Sequence, residues 1–162
     1  MQDYHYLYGL KTGVFRMSCI YGTRQFGFAD QGWLSWFAIA TITGKPLTIY
    51  GNGKQVRDVL FVTDLISAYD KFLKSNHKHG VYCMGGGKDN TLSLIELLKL
   101  LEEYTGKKSK ISYADWRPSD QKVFISDISK AKRELDWKPL VTPKVGVKTL
   151  VDWTIANKAL FP

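Results

Sequence analysis

The chain has 162 residues, of which 44% are hydrophobic and 23% charged, which excludes disorder and low complexity and allows one well-buried core. Its formal net charge is +8, from 23 Lys and Arg against 15 Asp and Glu, a balance that favours anionic partners such as phosphorylated ligands, nucleic acid or a membrane surface. The lysines are scattered, and the densest run, Lys107-Lys108-Ser109-Lys110, is too short for a nucleic-acid tail.

In chain order, Gln2 to Leu10 is an aromatic-rich, helix-like stretch. Gly13 to Gly22 reads as one buried strand leaving into a loop. Gln31 to Thr43 is helical, with Trp33, Leu34, Trp36, Phe37, Ala40 and Ile42 on a broad apolar face, and Gly44-Lys45-Pro46 stops it. Leu47 to Tyr50 is a short strand ended by Gly51-Asn52-Gly53, and Val56 to Val62 is another. Thr63 is expected to cap the helix that carries Leu65, Ile66, Tyr69, Phe72 and Leu73. Val81 to Met84 is a strand running into Gly85-Gly86-Gly87. Ser93 and Glu96 form a capping box for a helix that Gly106 terminates. Ile111 to Tyr113 is a short strand, followed by an irregular loop through Arg117-Pro118. Ser129 opens a short helix that stops before Trp137, and Thr142-Pro143 starts the last one, which runs to about Ala156. The alternation predicts an α/β fold, and the opening strand, with nothing before it to pair with, reads like the back half of a sheet.

The familiar chemical motifs are mostly absent. No apolar run reaches the roughly 18 residues of a membrane span, and Met1 to Tyr6 has neither the basic nor the apolar region of a signal peptide. Cys19 and Cys83 lack metal-ligand spacing, so the expectation is a cytoplasmic protein with reduced thiols and no metal. Gly51-Asn52-Gly53 and Gly85-Gly86-Gly87-Lys88 lack the spacing of a phosphate-cradling loop and read as turns. Tyr50 with Lys54 and Tyr104 with Lys108 match Tyr-x-x-x-Lys, but glycines interrupt both. His77-Lys78-His79 reads as solvated surface, and His5 as packing.

The arginines are more informative. Arg57, Arg117 and the Arg24-Gln25 pair all lie at strand ends or in loops that one crevice could collect. Two guanidiniums there could bind a diphosphate bidentately, a carboxylate could accept from a sugar hydroxyl, and Tyr50 could offer its ring to a base. Ordinary surface ion pairs are the alternative.

Five stretches, in order, resemble the C-terminal half of extended short-chain dehydrogenases, the NAD-dependent nucleotide-sugar epimerases and dehydratases. They are Arg16 to Gly22; Ile49 to Gly53 with Arg57-Asp58-Val59; Val62 to Leu65; Arg117-x-x-Asp120; and Trp137-x-Pro139 with Gly146, Thr149 and Trp153. Tyr21 to Gly27, Asp30 to Trp33 and Gly51 to Asp58 resemble the branch acting on C2 of CDP-sugars. The resemblance implies an edge of the NAD-binding Rossmann domain at about 1–30 and 54–88, interleaved with a substrate-binding subdomain at about 31–53 and 89–162. It also implies site roles. Arg57 and Arg117 would hold the diphosphate and Asp120 the ribose. Thr48, Ile49 and Tyr50 would line the base pocket, and Ser18 would touch the nicotinamide end of NAD. Cys19, where relatives carry Asn, Gln25, Trp33, Leu34 and Phe124, where relatives carry Tyr, would meet the substrate.

The family's glycine-rich NAD loop and catalytic Tyr-x-x-x-Lys would lie upstream of Arg16, so the chain reads as a fragment or internal start, with no catalytic residue of its own. The expected partners are a CDP-sugar and either a second copy or a complementing N-terminal half, with neither nucleic acid nor membrane. A 4-epimerase or 4,6-dehydratase using another nucleotide remains the alternative, as does a non-catalytic basic binding module.

Overall fold

The protein is described by a computed structural model covering residues 1–161. Its elements run α1 (Gln2–Tyr8), β1 (Thr12–Met17), β2 (Cys19–Tyr21), α2 (Trp33–Thr43), β3 (Pro46–Tyr50), β4 (Val56–Phe61) and α3 (Val62–Lys74). Then follow β5 (His79–Met84), β6 (Thr91–Ser93), α4 (Leu94–Thr105), β7 (Lys110–Ala114), β8 (Val123–Phe124), α5 (Ser129–Leu135) and α6 (Pro143–Ala156). The α/β class is as expected.

The single strand read from Gly13 to Gly22 is in fact two. β1 pairs in parallel with β5, whereas β2 pairs in parallel with β4, and Ser18 is the joint between them. β4 is the hub. Its C-terminal half pairs with β2, and its N-terminal half pairs with β6 and β8. β3 pairs in parallel with β7. Side chains alternate along β4, so Val59 and Phe61 enter one core and Leu60 the other. The first core gathers Phe37 and Ala38 of α2, Leu47 and Ile49 of β3, Leu97 and Leu101 of α4, and Val147 and Leu150 of α6. The second gathers Leu65 and Phe72 of α3, Tyr82 and Met84 of β5, Leu135 of α5 and Trp137.

Several helix ends follow the local chemistry. Ser93 Oγ accepts from Glu96 N while the Glu96 carboxylate accepts from Ser93 N at 2.7 Å, which closes the capping box. The Ser93 N–H and then the Ser93 hydroxyl, which donates to the same carboxylate at 2.7 Å, hold the Glu96 carboxyl below the ordinary glutamate range. Thr142 caps α6, with Pro143 in its first turn. The expected cap at Thr63 is corrected: β4 runs into α3 without a loop, Phe61 is the N-cap residue, and Thr63 lies inside the first turn. Asp64, also in that turn, is buried and accepts from the backbone N–H of Leu140 at 3.1 Å and of Val141 at 3.0 Å. Its own carbonyl accepts from Trp137 Nε1 at 2.9 Å. The Trp137-x-Pro139 signal in the sequence is therefore a brace for α3.

The reading of His77 and His79 as solvated surface is also corrected. His79 shares a 2.9 Å hydrogen bond with Thr12 and stacks on His5 at 5.2 Å between centroids, and His77 bonds the Glu134 carbonyl at 3.0 Å. His79 ties α1, β1 and β5 together and His77 reaches α5, rather than standing free in solvent.

Candidate functional site

One cleft of about 630 Å³ lies beyond the C-terminal end of β1, walled by β2, β3, the start of β4, the start of α2 and the loop after β7. Ser18, Cys19, Gln25, Trp33, Leu34, Thr48, Tyr50, Arg57, Arg117 and Asp120 all line it. Two expected residues do not. β3 turns Pro46, Thr48 and Tyr50 to the cleft, so strand alternation sends Leu47 and Ile49, both 0% exposed, into the core. Phe124 pairs with Arg57 across β4 and β8 but stands outside the cleft wall.

The cleft has a charged end and an apolar end. At the charged end Arg57 Nη2 donates to Asp120 Oδ1 at 2.7 Å, and Arg57 Nη1 donates to the Val56 carbonyl at 2.9 Å. The Arg117 guanidinium lies over the Tyr50 ring at 3.9 Å, a cation–π stack. One face of Tyr50 is thus already covered by the arginine expected to share the diphosphate. The loop carrying Arg117 is anchored by Trp116, which packs against Gly51. A Cβ at Gly51 would collide with that indole, and its φ of +81° is itself a glycine conformation.

At the apolar end Trp33 Nε1 donates to Cys19 Sγ at 3.4 Å. Burial pushes the Cys19 thiol up, outweighing the opposing effect of that indole hydrogen bond, so the group is a neutral S–H near pH 7. Gln25 accepts from the buried Ser35 hydroxyl and donates to the Ile20 carbonyl at 3.2 Å, fastening the loop after β2 to α2. Ser18 donates to the Asp58 carboxylate and to the Asp58 carbonyl at 3.2 Å.

Sequence reasoning missed two residues. Asp58 is fully buried and accepts from Ser18, from Gly87 N at 3.2 Å and from Ser126 N at 3.1 Å. It joins the β1–β2 joint, the turn after β5 and the segment after β8. Gln55 lines the cleft, is buried, and donates from Nε2 to the Tyr50 carbonyl at 2.9 Å. Its sequence signal is its place in the Gly51 to Asp58 stretch, just beyond a Gly-x-Gly turn.

The glycine turns are closely packed. Gly53 packs under Ile95, and Gly85 packs so tightly on Asp58 and Ser126 that a Cβ would strike both. No group of three metal-ligating side chains occurs among the described residues, and no helix there is long and apolar enough to cross a membrane.

Residues 1–150 match the GDP-mannose 4,6 dehydratase family. The chain belongs to that family, the NAD-dependent nucleotide-sugar epimerases and dehydratases of the extended short-chain dehydrogenase type. It is 45% identical over 161 residues to the CDP-paratose 2-epimerase of Salmonella typhi, covering 95% of this chain and 48% of that protein. It is 34% identical to the UDP-glucuronate 4-epimerase of Thermodesulfobacterium geofontis, covering 95% of this chain and 46% of that one. The UDP-glucose 4-epimerase of Thermotoga maritima, solved with UDP-glucose, superposes with a TM-score of 0.85 at 31% identity, over 98% of this chain and 50% of that one. The UDP-glucuronic acid 4-epimerase of Bacillus cereus, solved with UDP-glucuronic acid and NAD, gives 0.82 at 26% identity, over 97% and 49%. The fold is that of these Rossmann-type enzymes. The chain spans about half the length of the relatives it matches.

Proposed function

We propose that this chain is the substrate-binding half of an NAD-dependent nucleotide-sugar epimerase that inverts C2 of CDP-paratose to give CDP-tyvelose. The observation that carries the reading is the two-ended cleft, with two guanidiniums beside a tyrosine on β3 and an apolar wall opposite. The 45% identity to a CDP-paratose 2-epimerase supports the choice of substrate.

Arg57 and Arg117 neutralise the diphosphate, for which planar bidentate donors are well matched. Asp120 takes the ribose, which requires it to loosen its bond to Arg57. Thr48 and Tyr50 flank the base, and Ile49 serves only through its backbone. Cys19, Gln25, Trp33 and Leu34 surround the sugar, and Phe124 braces Arg57 from outside.

NAD, when bound in such an enzyme, supplies a hydride acceptor and donor for the sugar carbon. The described residues fit it only partly. Ser18 stands at the joint where its nicotinamide end would lie, but no loop among them would cradle its pyrophosphate. The chain's contribution is positioning and charge complementarity. Residues about 1–30 and 54–88 would form the edge of the NAD-binding domain, and about 31–53 and 89–162 the substrate-binding part.

Calorimetric titration with CDP, UDP and dTDP tests the reading. CDP should bind tightest. Tighter binding of UDP or dTDP moves the assignment to a 4-epimerase or 4,6-dehydratase, the second reading, which the UDP-glucose 4-epimerase superposition favours. The 162-residue chain should show no turnover by itself, and measurable epimerisation by it overturns the half-enzyme assignment.

A further inference from the structure

Gln55 is 5% exposed, yet it lines the cleft. Its amide is oriented by a single strong constraint: Nε2 donates to the Tyr50 carbonyl at 2.9 Å. The reverse orientation would set two acceptors against each other, so Oε1 is fixed as the free end. That oxygen is buried and has no hydrogen-bond partner among the described residues. Buried acceptors are nearly always satisfied, and an exception in a ligand cleft is a demand for a donor.

The location narrows which donor. Gln55 is bonded to the backbone of Tyr50, the residue flanking the base, and lies two positions before Arg57, which faces the diphosphate. The span between base and diphosphate is the nucleoside. Cytidine offers two kinds of donor there, a ribose hydroxyl or the exocyclic amine of cytosine. Uracil presents a carbonyl at the position of that amine, which would oppose Oε1.

We infer that Gln55 is a nucleotide-binding residue whose Oε1 accepts a hydrogen bond from the cytosine amine or the ribose 2′-hydroxyl of the bound ligand. The inference rests on the nucleotide-sugar reading of the cleft. It adds a binding residue on the inner wall, one set by an internal clamp on the Tyr50 carbonyl.

The test is a double-mutant cycle between protein and ligand. Binding of CDP, UDP and 2′-deoxy-CDP is measured by calorimetry on the wild-type chain and on Gln55→Leu. If the cytosine amine is the donor, wild type binds CDP about 10- to 100-fold tighter than UDP, and Gln55→Leu erases that ratio. If the ribose 2′-hydroxyl is the donor, the ratio between CDP and 2′-deoxy-CDP collapses instead. Because the variant also loses the clamp on Tyr50, Gln55→Glu is measured beside it. Glu retains acceptor oxygens and should keep the ratio even where overall affinity falls.

Equal weakening of all three ligands by Gln55→Leu, with both ratios unchanged, overturns the inference and assigns Gln55 a structural role with a buried water on Oε1. Failure of all three nucleotides to bind the wild-type chain overturns the nucleotide-sugar reading itself.

Discussion

Arg57 and Asp58 are adjacent on β4 and face opposite ways. Arg57 is turned to the cleft, where its one carboxylate partner, Asp120, is itself a candidate ligand-binding group. Asp58 is turned inward, fully buried, with donors from three separate segments. The side chains of the Arg57–Asp120 pair remain 16% and 23% exposed, so water and ligand can compete for them. Nothing competes for Asp58. One strand therefore carries an exchangeable charge on one face and a permanent knot on the other, and substitution should separate the two.

The largest effect is expected from Asp58→Ala. It strands two backbone N–H groups and the Ser18 hydroxyl inside the protein, which should cost about 3–5 kcal/mol in urea unfolding. A loss below about 1 kcal/mol would put Asp58 on a par with a surface pair and end the contrast.

Arg57→Ala should do the reverse. Unfolding free energy should change by no more than about 1 kcal/mol, while CDP affinity falls about 10- to 100-fold in calorimetry. A large stability loss with intact binding would show that the cleft face is structural as well.

Gly51→Ala sharpens the picture at the turn before β4. The positive φ and the Trp116 indole both oppose a methyl group there, and about 1–2 kcal/mol should be lost, with a shift in tryptophan emission. Unchanged emission would mean that Trp116 does not hold the Arg117 loop.

The smallest effect belongs to the cap of α4. Ser93→Ala should cost about 1 kcal/mol. Glu96 has its folded pKa depressed, chiefly by the Ser93 backbone N–H and then by its hydroxyl, so its contribution is present above the ordinary glutamate pKa and fades as pH falls through the lowered folded value. Ser93→Ala should therefore also flatten the acid side of the stability profile, and a parallel shift at every pH would contradict that account.

Legibility in the sequence followed the range of the interaction. Ser93 with Glu96 and Thr142 with Pro143 act within four residues, and both were readable as helix starts. β6 and β8 have three and two residues, too few for any periodicity, and exist because β4 templates them. Ile49 was assigned to the base pocket with its neighbours because a resemblance transfers positions, whereas strand alternation decides which side chains face the cleft. The Arg57–Asp120 pair and the Arg117–Tyr50 stack join residues more than sixty positions apart, and no local pattern encodes them. Asp58 stands beside Arg57 in a matched stretch with no role attached, and only the fold shows three segments converging on it.

The parallel pairings set a timetable for the chain's birth. Thr12 meets His79 across 67 positions, Thr48 meets Ser112 across 64, and Arg57 meets Asp120 across 63. Each requires a long loop to close before any contact rewards it, which slows folding. On the ribosome at about 5–20 residues per second, a nascent chain carries β1, β3 and the cleft arginine unpaired for several seconds until their partners are made. The cleft therefore stays open until the loop after β7 has emerged, and early-emerging strands wait exposed to chaperones or to one another.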